Sequence, residues 1–301
     1  MRLRSLLFIV FISVFISGAD AQWLSGYSHR KQITVNASQI PDGPDLNDFP
    51  LMIRFENESD LRSAPNENGG IVESLSGYDI VFTIDHTTTL DHEIEDYDPV
   101  DGDFVAWVRI PSLSTTENTV IYMYFGNSAI TLDPSTPNIW SADFVAVWHL
   151  HDVFSDATTN GNDGVNFGTV NFPGQVADGQ DWEYTDVDRI EAGSFDVSGS
   201  AMTLSAWIRP ESYTQSDSRI ISKATGTGDQ EHWWMLSTIN SSGTKLRFRL
   251  KTNDNTAVLV ASSSSLSLGN WTYVSAVYDG SGMILYENGS PVGSTAKTGS
   301  I

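Results

Sequence analysis

Two stretches of alternating residues decide the fold class: Asp103-Phe104-Val105-Ala106-Trp107-Val108-Arg109-Ile110 and Thr203-Leu204-Ser205-Ala206-Trp207-Ile208-Arg209. In each stretch, apolar or small residues recur at every second position, which is the period of a β-strand and not of a helix. Short blocks of this kind fill the chain from Tyr27 onward, bounded by Gly, Pro, Asn, Asp and Ser, and no amphipathic helix of useful length interrupts them. The pattern predicts an all-β protein built as two antiparallel β-sandwiches in tandem.

The same alternation predicts where the other strands lie and where the two domains divide. Further strands are expected at residues 32–36, 49–55, 79–84, 119–125, 144–149, 233–238, 245–251, 271–278 and 283–287. Asn288-Gly289 follows the last of these, and this dipeptide accepts positive φ at both centres of a type I′ hairpin. Residues 129–143 contain Pro134 and Pro137 and lack alternation, so we expect a linker there, between a first domain at residues 22–128 and a second at residues 144–301.

Residues 1–21 have the pattern of a secretory signal peptide. A short cationic start, Met1 to Arg4, precedes an apolar run at residues 5–17, and Ala19-Asp20-Ala21 fits the small-x-small rule for signal peptidase. The run is shorter than the roughly 20 residues that span a bilayer, and no later stretch is long and apolar enough to do so. We therefore expect cleavage near Ala21 and a secreted or extracytoplasmic envelope protein; the alternative is an uncleaved N-terminal anchor.

Composition excludes several classes of protein. The chain has 301 residues, with 38 Asp and Glu against 16 Lys and Arg, so its formal charge is -22. This excess of acids opposes the phosphate backbone, and we expect no nucleic-acid partner. With no Cys, the chain has no disulfides, no thiolate metal sites and no cysteine nucleophile. Any metal must be held by oxygen or imidazole.

Several sequence blocks of the first domain follow the order of a known family. They are Tyr27-Ser28-His29-Arg30-Lys31-Gln32-Ile33, Asp48-Phe49-Pro50-Leu51, Asp60-Leu61-Arg62, Gly77-Tyr78-Asp79-Ile80-Val81-Phe82-Thr83, His92-Glu93-Ile94-Glu95-Asp96-Tyr97, Trp107-Val108-Arg109-Ile110-Pro111 and Ile121-Tyr122-Met123-Tyr124-Phe125-Gly126-Asn127. In these blocks the domain resembles the bacterial family called domain of unknown function 2341. The resemblance implies no known activity.

The second domain has its own set of blocks. They include Val147-Trp148-His149-Leu150, Met202-Thr203-Leu204-Ser205-Ala206-Trp207-Ile208-Arg209-Pro210, Ile221-Ser222-Lys223, Trp271-Thr272-Tyr273-Val274, Val277-Tyr278-Asp279-Gly280 and Leu285-Tyr286-Glu287-Asn288-Gly289. The domain resembles a laminin-G-like, or concanavalin A-like, jelly roll. Such folds bind sugars or proteins in some members and act as spacers in others. The resemblance also implies further strands after Ile301, so we expect the jelly roll to be incomplete at its C-terminus.

Two oxygen-rich loops, residues 156–164 and 178–181, are candidate calcium sites, because calcium prefers oxygen ligands. The first loop is not an EF-hand, since its twelfth position is Phe167, where a bidentate Glu is required. The resemblance implies a structural calcium ion, and we predict Asp152 and Asp178 as its ligands. The alternative is that both loops are plain turns, since Asn-Gly and Asp-Gly accept left-handed backbone geometry without an ion.

Two other polar clusters are typical of catalytic or metal sites. His149 and His151 would share one face of a strand and present two imidazoles to a metal ion, but no further His lies nearby, so we expect a structural role. Glu93 and Glu95 could imitate the carboxylate pair of a retaining glycosidase. This run lies outside the jelly roll, so we interpret it as a solvated strand edge protected by charge. Without Cys or a Gly-x-Ser-x-Gly motif, we predict no catalytic residues.

Trp233 and Trp234 are the candidate ligand-binding residues. Neighbouring residues of a strand point to opposite faces of the sheet, so one of the two indoles must point outward. An outward Trp on a jelly-roll face can stack on a sugar ring. The alternative is that a loop or the first domain covers it.

Together these observations predict a secreted, non-enzymatic binding or adhesion protein. Its partner would be a glycan or a cell-surface protein bound by the jelly roll, with calcium as the one candidate cofactor and no membrane span in residues 22–301. The alternative is an accessory binding region of a larger cell-envelope protein or enzyme, whose catalytic, sorting or membrane domain lies beyond residue 301. A glycosidase built on the jelly roll is a third, less favoured hypothesis.

Overall fold

The computed structural model describes residues 23–66, 69–240, 243–253, 255–263 and 266–301. The signal peptide predicted at residues 1–21, with cleavage near Ala21, lies outside this part of the chain. The described residues divide into two compact units, residues 23–194 and Phe195–Ile301. The division falls later than the linker predicted at residues 129–143.

The first unit is built on two three-stranded antiparallel sheets. Their strands are β1 (His29–Val35), β2 (Leu46–Phe55), β3 (Val81–Thr83), β4 (His92–Asp98), β5 (Asp103–Leu113) and β6 (Thr119–Phe125). The strand orders are β1-β6-β3 and β2-β5-β4. Phe82 of β3 stacks on Phe104 of β5 with ring centroids 6.3 Å apart, which joins the two sheets through the core.

Strand β5 follows the alternation that its sequence predicts, except at Val105, which is also buried. Phe104, Ala106, Val108 and Ile110 are fully buried, whereas Trp107 is half-buried. Burial of apolar side chains at about 25 cal/mol per Å² of removed surface makes this strand the centre of the first core. The all-β prediction is confirmed in both units.

Residues 126–194 contain short ladders in place of a long sheet. The strands are β7 (Val165–Phe167), β8 (Val170–Pro173), β9 (Asp178–Asp181) and β10 (Arg189–Glu191), paired as β7-β10 and β8-β9. The predicted linker is packed against β4, since Ser135 Oγ accepts a hydrogen bond from Ile94 N at 3.0 Å. Thr136 N donates to His92 O at 3.0 Å.

The strand predicted at residues 144–149 is wrong, because no strand forms there. The backbone of this segment finds its partners in side chains of the following loop. Val147 N donates to Asp156 Oδ1 at 3.0 Å, and Asn162 Nδ2 donates to Val145 O at 2.8 Å. Side-chain partners satisfy these backbone groups without a ladder.

The second unit is a sandwich of two four-stranded antiparallel sheets. Its strands are β11 (Met202–Ile208), β12 (Asp217–Ala224), β13 (His232–Asn240), β14 (Thr244–Thr252), β15 (Asn255–Val260), β16 (Thr272–Tyr278), β17 (Gly282–Glu287) and β18 (Ser290–Ala296). The orders are β11-β16-β17-β18 and β12-β13-β14-β15. One cluster of buried side chains from both sheets forms the core, including Leu204, Leu236, Phe248, Val274 and Leu285.

The hairpin between β17 and β18 turns at Asn288-Gly289, as predicted. The φ angles are 46° at Asn288 and 75° at Gly289, and Glu287 pairs with Ser290 across the turn. Positive φ at both central residues is the requirement of a type I′ turn, which explains why this dipeptide stands here.

The helices of the described residues are one-turn 3₁₀ segments. They are Ala37–Gln39, Ser59–Leu61, Ala64–Asn66, Pro137–Ile139, Tyr184–Asp186 and Asp229–Glu231. Within this part of the chain, no helix has the length and apolar character that crossing a membrane requires.

A buried carboxylate organises the loops of the first unit. Asp79 is fully buried, and its Oδ2 accepts hydrogen bonds from Glu73 N at 3.0 Å, Gly126 N at 2.9 Å and Asn127 N at 3.2 Å. Its Oδ1 accepts from Ser74 N at 2.9 Å. One side chain thus satisfies backbone donors from two loops that are distant in the sequence.

We predict that Asp79→Asn destabilises the first unit by about 1–3 kcal/mol, because an amide replaces one acceptor atom by a donor and leaves buried N–H groups unpaired. Urea denaturation of the full chain measures the change in the free energy of unfolding. Asp101→Asn, at an exposed turn position, is the matched control and should lie within about 0.5 kcal/mol of the unaltered chain. Equal stability of the two variants would contradict the role of Asp79.

Candidate functional site

Within the acidic run of β4, Glu95 is buried and Glu93 is half-buried, which corrects the interpretation of these two residues as a solvated edge. Glu95 is 9% exposed, and its Oε2 accepts a hydrogen bond from Trp107 Nε1. Glu93 Oε2 accepts from Trp140 Nε1 at 3.0 Å. His149 lies against both carboxylates, with Nδ1 3.1 Å from Glu95 Oε2 and Nε2 3.4 Å from Glu93 Oε2.

The charge state of His149 follows from these contacts. Burial alone would lower the pKa of His149, but hydrogen bonds and negative charge from Glu93 and Glu95 outweigh it and raise the pKa to about 10. His149 is therefore an imidazolium ion at neutral pH. It joins the segment after Trp140 to β4 by charge and hydrogen bonding, and we call these three side chains the imidazolium clamp.

The local backbone sets up the clamp. The ladder between β4 and β5 shifts register between Ile94 and Asp96, a β-bulge at Glu95 that re-aims its side chain. Beyond His149, Leu150 has a φ of 62°, which ends the extended geometry that would place His149 and His151 on one face. In the structure, the partners of His149 are therefore Glu93 and Glu95, in place of the metal ion that the sequence motif suggested.

The predicted calcium ligands lie on the surface. Asp152 and Asp178 are both exposed, and Asn171 Nδ2 donates to Asp178 Oδ2 at 2.7 Å. Among the residues that the structure describes, neither carboxylate belongs to a group of three or more His, Asp or Glu side chains whose ligand atoms lie within 4.8 Å of one another. Calcium binding stays a prediction.

The loop at residues 156–164 is organised by its own carboxylate. Asp156 Oδ1 accepts hydrogen bonds from Val147 N and Thr158 N, both at 3.0 Å. Its Oδ2 accepts from Thr158 Oγ1 at 2.9 Å and Asn162 N at 3.0 Å. Burial would raise the pKa of Asp156, but these donors outweigh it and the pKa is lowered. The contacts favour a plain turn over an ion site.

The two candidate ligand-binding tryptophans lie on opposite faces of β13. Trp234 is 4% exposed and belongs to the core, where its ring lies 6.1 Å from Phe195, so it is the indole that points inward. Trp233 is half-buried, and Lys251 Nζ lies 4.7 Å from the centroid of its ring. Of the pair, Trp233 is the one on the outer face.

The outer face of the β12–β15 sheet carries a row of cations. It is formed by Lys245, Arg247, Arg249 and Lys251 at alternate positions of β14, and by Arg219 of β12, which aligns with Arg247 through Ser237 of β13. We call these side chains the cationic face. Successive side chains of a strand point to opposite faces, so Leu246, Phe248 and Leu250 of the same strand enter the core.

Acidic side chains pair with two of these cations. Arg247 is 3% exposed; its Nε donates to Ser237 Oγ at 3.1 Å and its Nη2 donates to Asp217 Oδ1. Arg249 Nη1 donates to Asp229 Oδ1 at 3.1 Å, and the Asp229 side chain is 81% exposed. Arg247 is thus held inside the unit, whereas Arg249 forms an exposed ion pair, which contributes little to stability.

The 3₁₀ turn Asp229–Glu231 borders this face beside Trp233. Gln230 O accepts from Lys251 Nζ at 3.1 Å, and Gln230 Oε1 accepts from Thr256 N at 3.2 Å. Arg249 Nε and Thr256 Oγ1 are buried, and neither has a hydrogen-bond partner among the described residues. A half-buried aromatic ring and two buried, unpaired polar atoms therefore lie at one end of the sheet.

Charge is divided unevenly along the chain. Residues Phe195–Ile301 hold eight Lys and Arg and eight Asp and Glu, so the second unit is formally neutral. The formal charge of -22 belongs entirely to the residues before Phe195. The charge summed over the whole chain therefore gives no indication of the cationic face. The sequence signal for this face is Lys245-Leu246-Arg247-Phe248-Arg249-Leu250-Lys251, in which every second residue is basic.

We predict that His149→Phe destabilises the first unit by about 3–5 kcal/mol, because Glu93 and Glu95 then stay buried without a cation. The unfolded pKa is 6.5 and the folded pKa about 10, so the stabilisation is complete below pH 6.5 and is lost as the pH rises towards 10. Thermal unfolding of both proteins across this range measures the difference.

His151→Phe, two residues further on, is the matched control and should follow the unaltered chain at each pH. The difference in melting temperature between the unaltered chain and His149→Phe should narrow from pH 6.5 to pH 10. A difference that stays constant over this range would show that His149 acts by packing alone.

Comparison with known proteins matches the two units to two families. Residues 76–166 match the family described as domain of unknown function DUF2341. Residues 185–301 match Laminin_G_3, described as the concanavalin A-like lectin/glucanases superfamily. The order is the one that the sequence blocks predict.

Among solved structures, the chain is similar to one from Bacteroides ovatus described as a "putative carbohydrate binding protein". The identity is 11% and the TM-score 0.28, and the match covers 89% of this chain and 64% of that one. This likeness is too distant to carry an argument. No curated protein sequence matches the chain. The chain thus carries a match to DUF2341 followed by a match to the concanavalin A-like superfamily, and its all-β fold agrees with the predicted class.

Proposed function

We propose that this chain is a secreted, non-enzymatic adhesion protein that binds carbohydrate on the outer face of the β12–β15 sheet. The observation that carries the proposal is the position of Trp233 beside the polar atoms of Arg249, Lys251 and Thr256 on that face. The match of the second unit to a concanavalin A-like superfamily supports it.

The arrangement suits the chemistry of a sugar. The apolar face of a pyranose ring packs on an indole, while its hydroxyl groups accept hydrogen bonds from ammonium and guanidinium groups at the ring edge. Lys251 Nζ already lies 4.7 Å from the centroid of the Trp233 ring, so donor and aromatic surface meet within the span of one sugar residue. Thr256, which pairs with Lys251 across the β14–β15 ladder, has a buried hydroxyl without a hydrogen-bond partner among the described residues.

The non-enzymatic part of the proposal is supported by the state of the acidic pair. General acid–base chemistry on a glycosidic bond needs two carboxyl groups that reach the substrate. Glu93 and Glu95 are engaged instead with two indole N–H groups and the imidazolium of His149. Secretion is supported by residues 1–21 of the sequence, with cleavage near Ala21.

We expect the chain without residues 1–21 to bind a subset of glycans on an array, and Trp233→Ala to weaken that binding about two- to tenfold through loss of ring stacking. Trp182→Ala is the matched control, since Trp182 is 45% exposed and lies in the first unit. Measurement with and without a chelator also tests the predicted calcium.

Circular dichroism of Trp233→Ala establishes whether the fold survives, and Trp233→Phe, which keeps an aromatic ring, should retain more binding than Trp233→Ala. If folded Trp233→Ala binds glycans as tightly as the unaltered chain does, the sugar binds at another place on the protein. If the unaltered chain binds no glycan, with or without calcium, the proposal is wrong.

We expect no release of reducing ends when the chain is incubated with the polysaccharides that it binds, because its buried carboxylates do not face a substrate. The assay compares the unaltered chain with Glu93→Gln and Glu95→Gln. Hydrolysis that disappears in either variant would overturn the non-enzymatic proposal.

A further inference from the structure

We infer that the ligand of the cationic face is an anionic polysaccharide, one that carries carboxylate or sulfate groups along its chain. This inference rests on the proposed carbohydrate binding and names the class of carbohydrate. Its basis is the concentration of five of the chain's 16 Lys and Arg residues on one face of one sheet.

The geometry of the face suits a linear ligand. Alternate residues of a strand are about 7 Å apart, so Lys245, Arg249 and Lys251 lie along about 20 Å of β14, with Arg247 buried between the first two. A polysaccharide with charged groups at regular intervals presents anions along a line in the same way. Guanidinium groups such as that of Arg249 pair with carboxylate or sulfate oxygens through two parallel hydrogen bonds.

Several cations of the row are available to a ligand. Arg219 is exposed and Lys245 half-buried, and no side-chain hydrogen bond or ion pair joins either of them to another described residue. Arg249 pairs with Asp229, whose side chain is 81% exposed, and its Nε has no hydrogen-bond partner in the described chain. An exposed pair of this kind contributes about 0–1 kcal/mol, so an anionic ligand can displace Asp229 at small cost.

Cations outnumber the acidic partners on this face, with five Lys and Arg side chains against Asp217 and Asp229. His232, at the start of β13, is 5% exposed. Burial lowers the pKa of His232, and the charges of Arg249, Arg219 and Arg247 lower it further.

A polysaccharide fits better than a nucleic acid. The residues before Phe195 carry a formal charge of -22, which opposes the dense charge of a duplex, about one per 1.7 Å. Sparser charge on a polysaccharide is repelled less, and salt screens that repulsion over about 8 Å at physiological ionic strength. Trp233 also offers an aromatic surface of a size that a sugar ring covers.

The test compares ligands that differ only in charge. Affinity electrophoresis and calorimetry of the chain without residues 1–21 use dextran against dextran sulfate, and methyl-esterified against free polygalacturonate. We expect binding to at least one anionic polymer, none to its neutral counterpart, and a marked loss of affinity as sodium chloride rises from 50 to 500 mM. The two pairs distinguish sulfate from carboxylate.

The double variant Arg219→Gln, Lys245→Gln removes two surface charges and should lower affinity about tenfold. Arg209→Gln, which follows β11 in the other sheet, is the matched control and should bind as the unaltered chain does. Thermal unfolding checks that both variants fold.

Each of the following results would refute part of the inference. Equal binding to neutral and charged polymers that still depends on Trp233 would refute the anionic ligand and leave carbohydrate binding intact. Unchanged affinity in the folded double variant would refute the cationic face. Duplex DNA bound as tightly as dextran sulfate would show attraction by charge alone. Binding to none of the polymers and to no arrayed glycan would refute the proposed function as well.

Discussion

The alternation of side chains along β14 is the constraint on which the second unit depends. Leu246, Phe248 and Leu250 leave one side of the strand and are fully buried in the core. The alternate residues Lys245, Arg247, Arg249 and Lys251 leave the other side of the strand and form most of the cationic face. Because a pleated strand fixes both sets at once, a register slip of one residue would bury the cations and expose the core. Stability and the proposed binding surface are therefore tied to one register.

The first unit uses negative charge in a different way. Asp79 and Asp156 each accept four hydrogen bonds from loop groups, and Glu95 lies beneath the His149 imidazolium. These carboxylates act as internal partners for groups that would otherwise be unpaired, so part of the acidic composition is structural and not merely a solvated surface. Glu93 also accepts a hydrogen bond from Trp140 Nε1, which helps to hold the segment predicted as a linker against β4.

Much of the fold could be predicted from the sequence because its strands follow the alternation of apolar and polar residues along short segments. Strands β5 and β11 and the Asn288-Gly289 hairpin follow from neighbouring residues alone. The segment at residues 144–149 has the same apolar character, yet its backbone bonds to Asp156 and Asn162, which no local pattern reveals. The contact of His149 with Glu93 and Glu95 likewise joins residues far apart in the sequence. The cationic face was visible in the alternation of β14, but the formal charge averaged over the whole chain concealed it.

Hydrogen–deuterium exchange of the chain without residues 1–21, with and without dextran sulfate, tests most directly whether the β12–β15 face is the binding surface. The account predicts that protection on adding the polymer is concentrated in β13, β14 and the turn Asp229–Glu231, which border Trp233 and Arg249. Protection confined to β11, β16 and β17, or to the first unit, would contradict it.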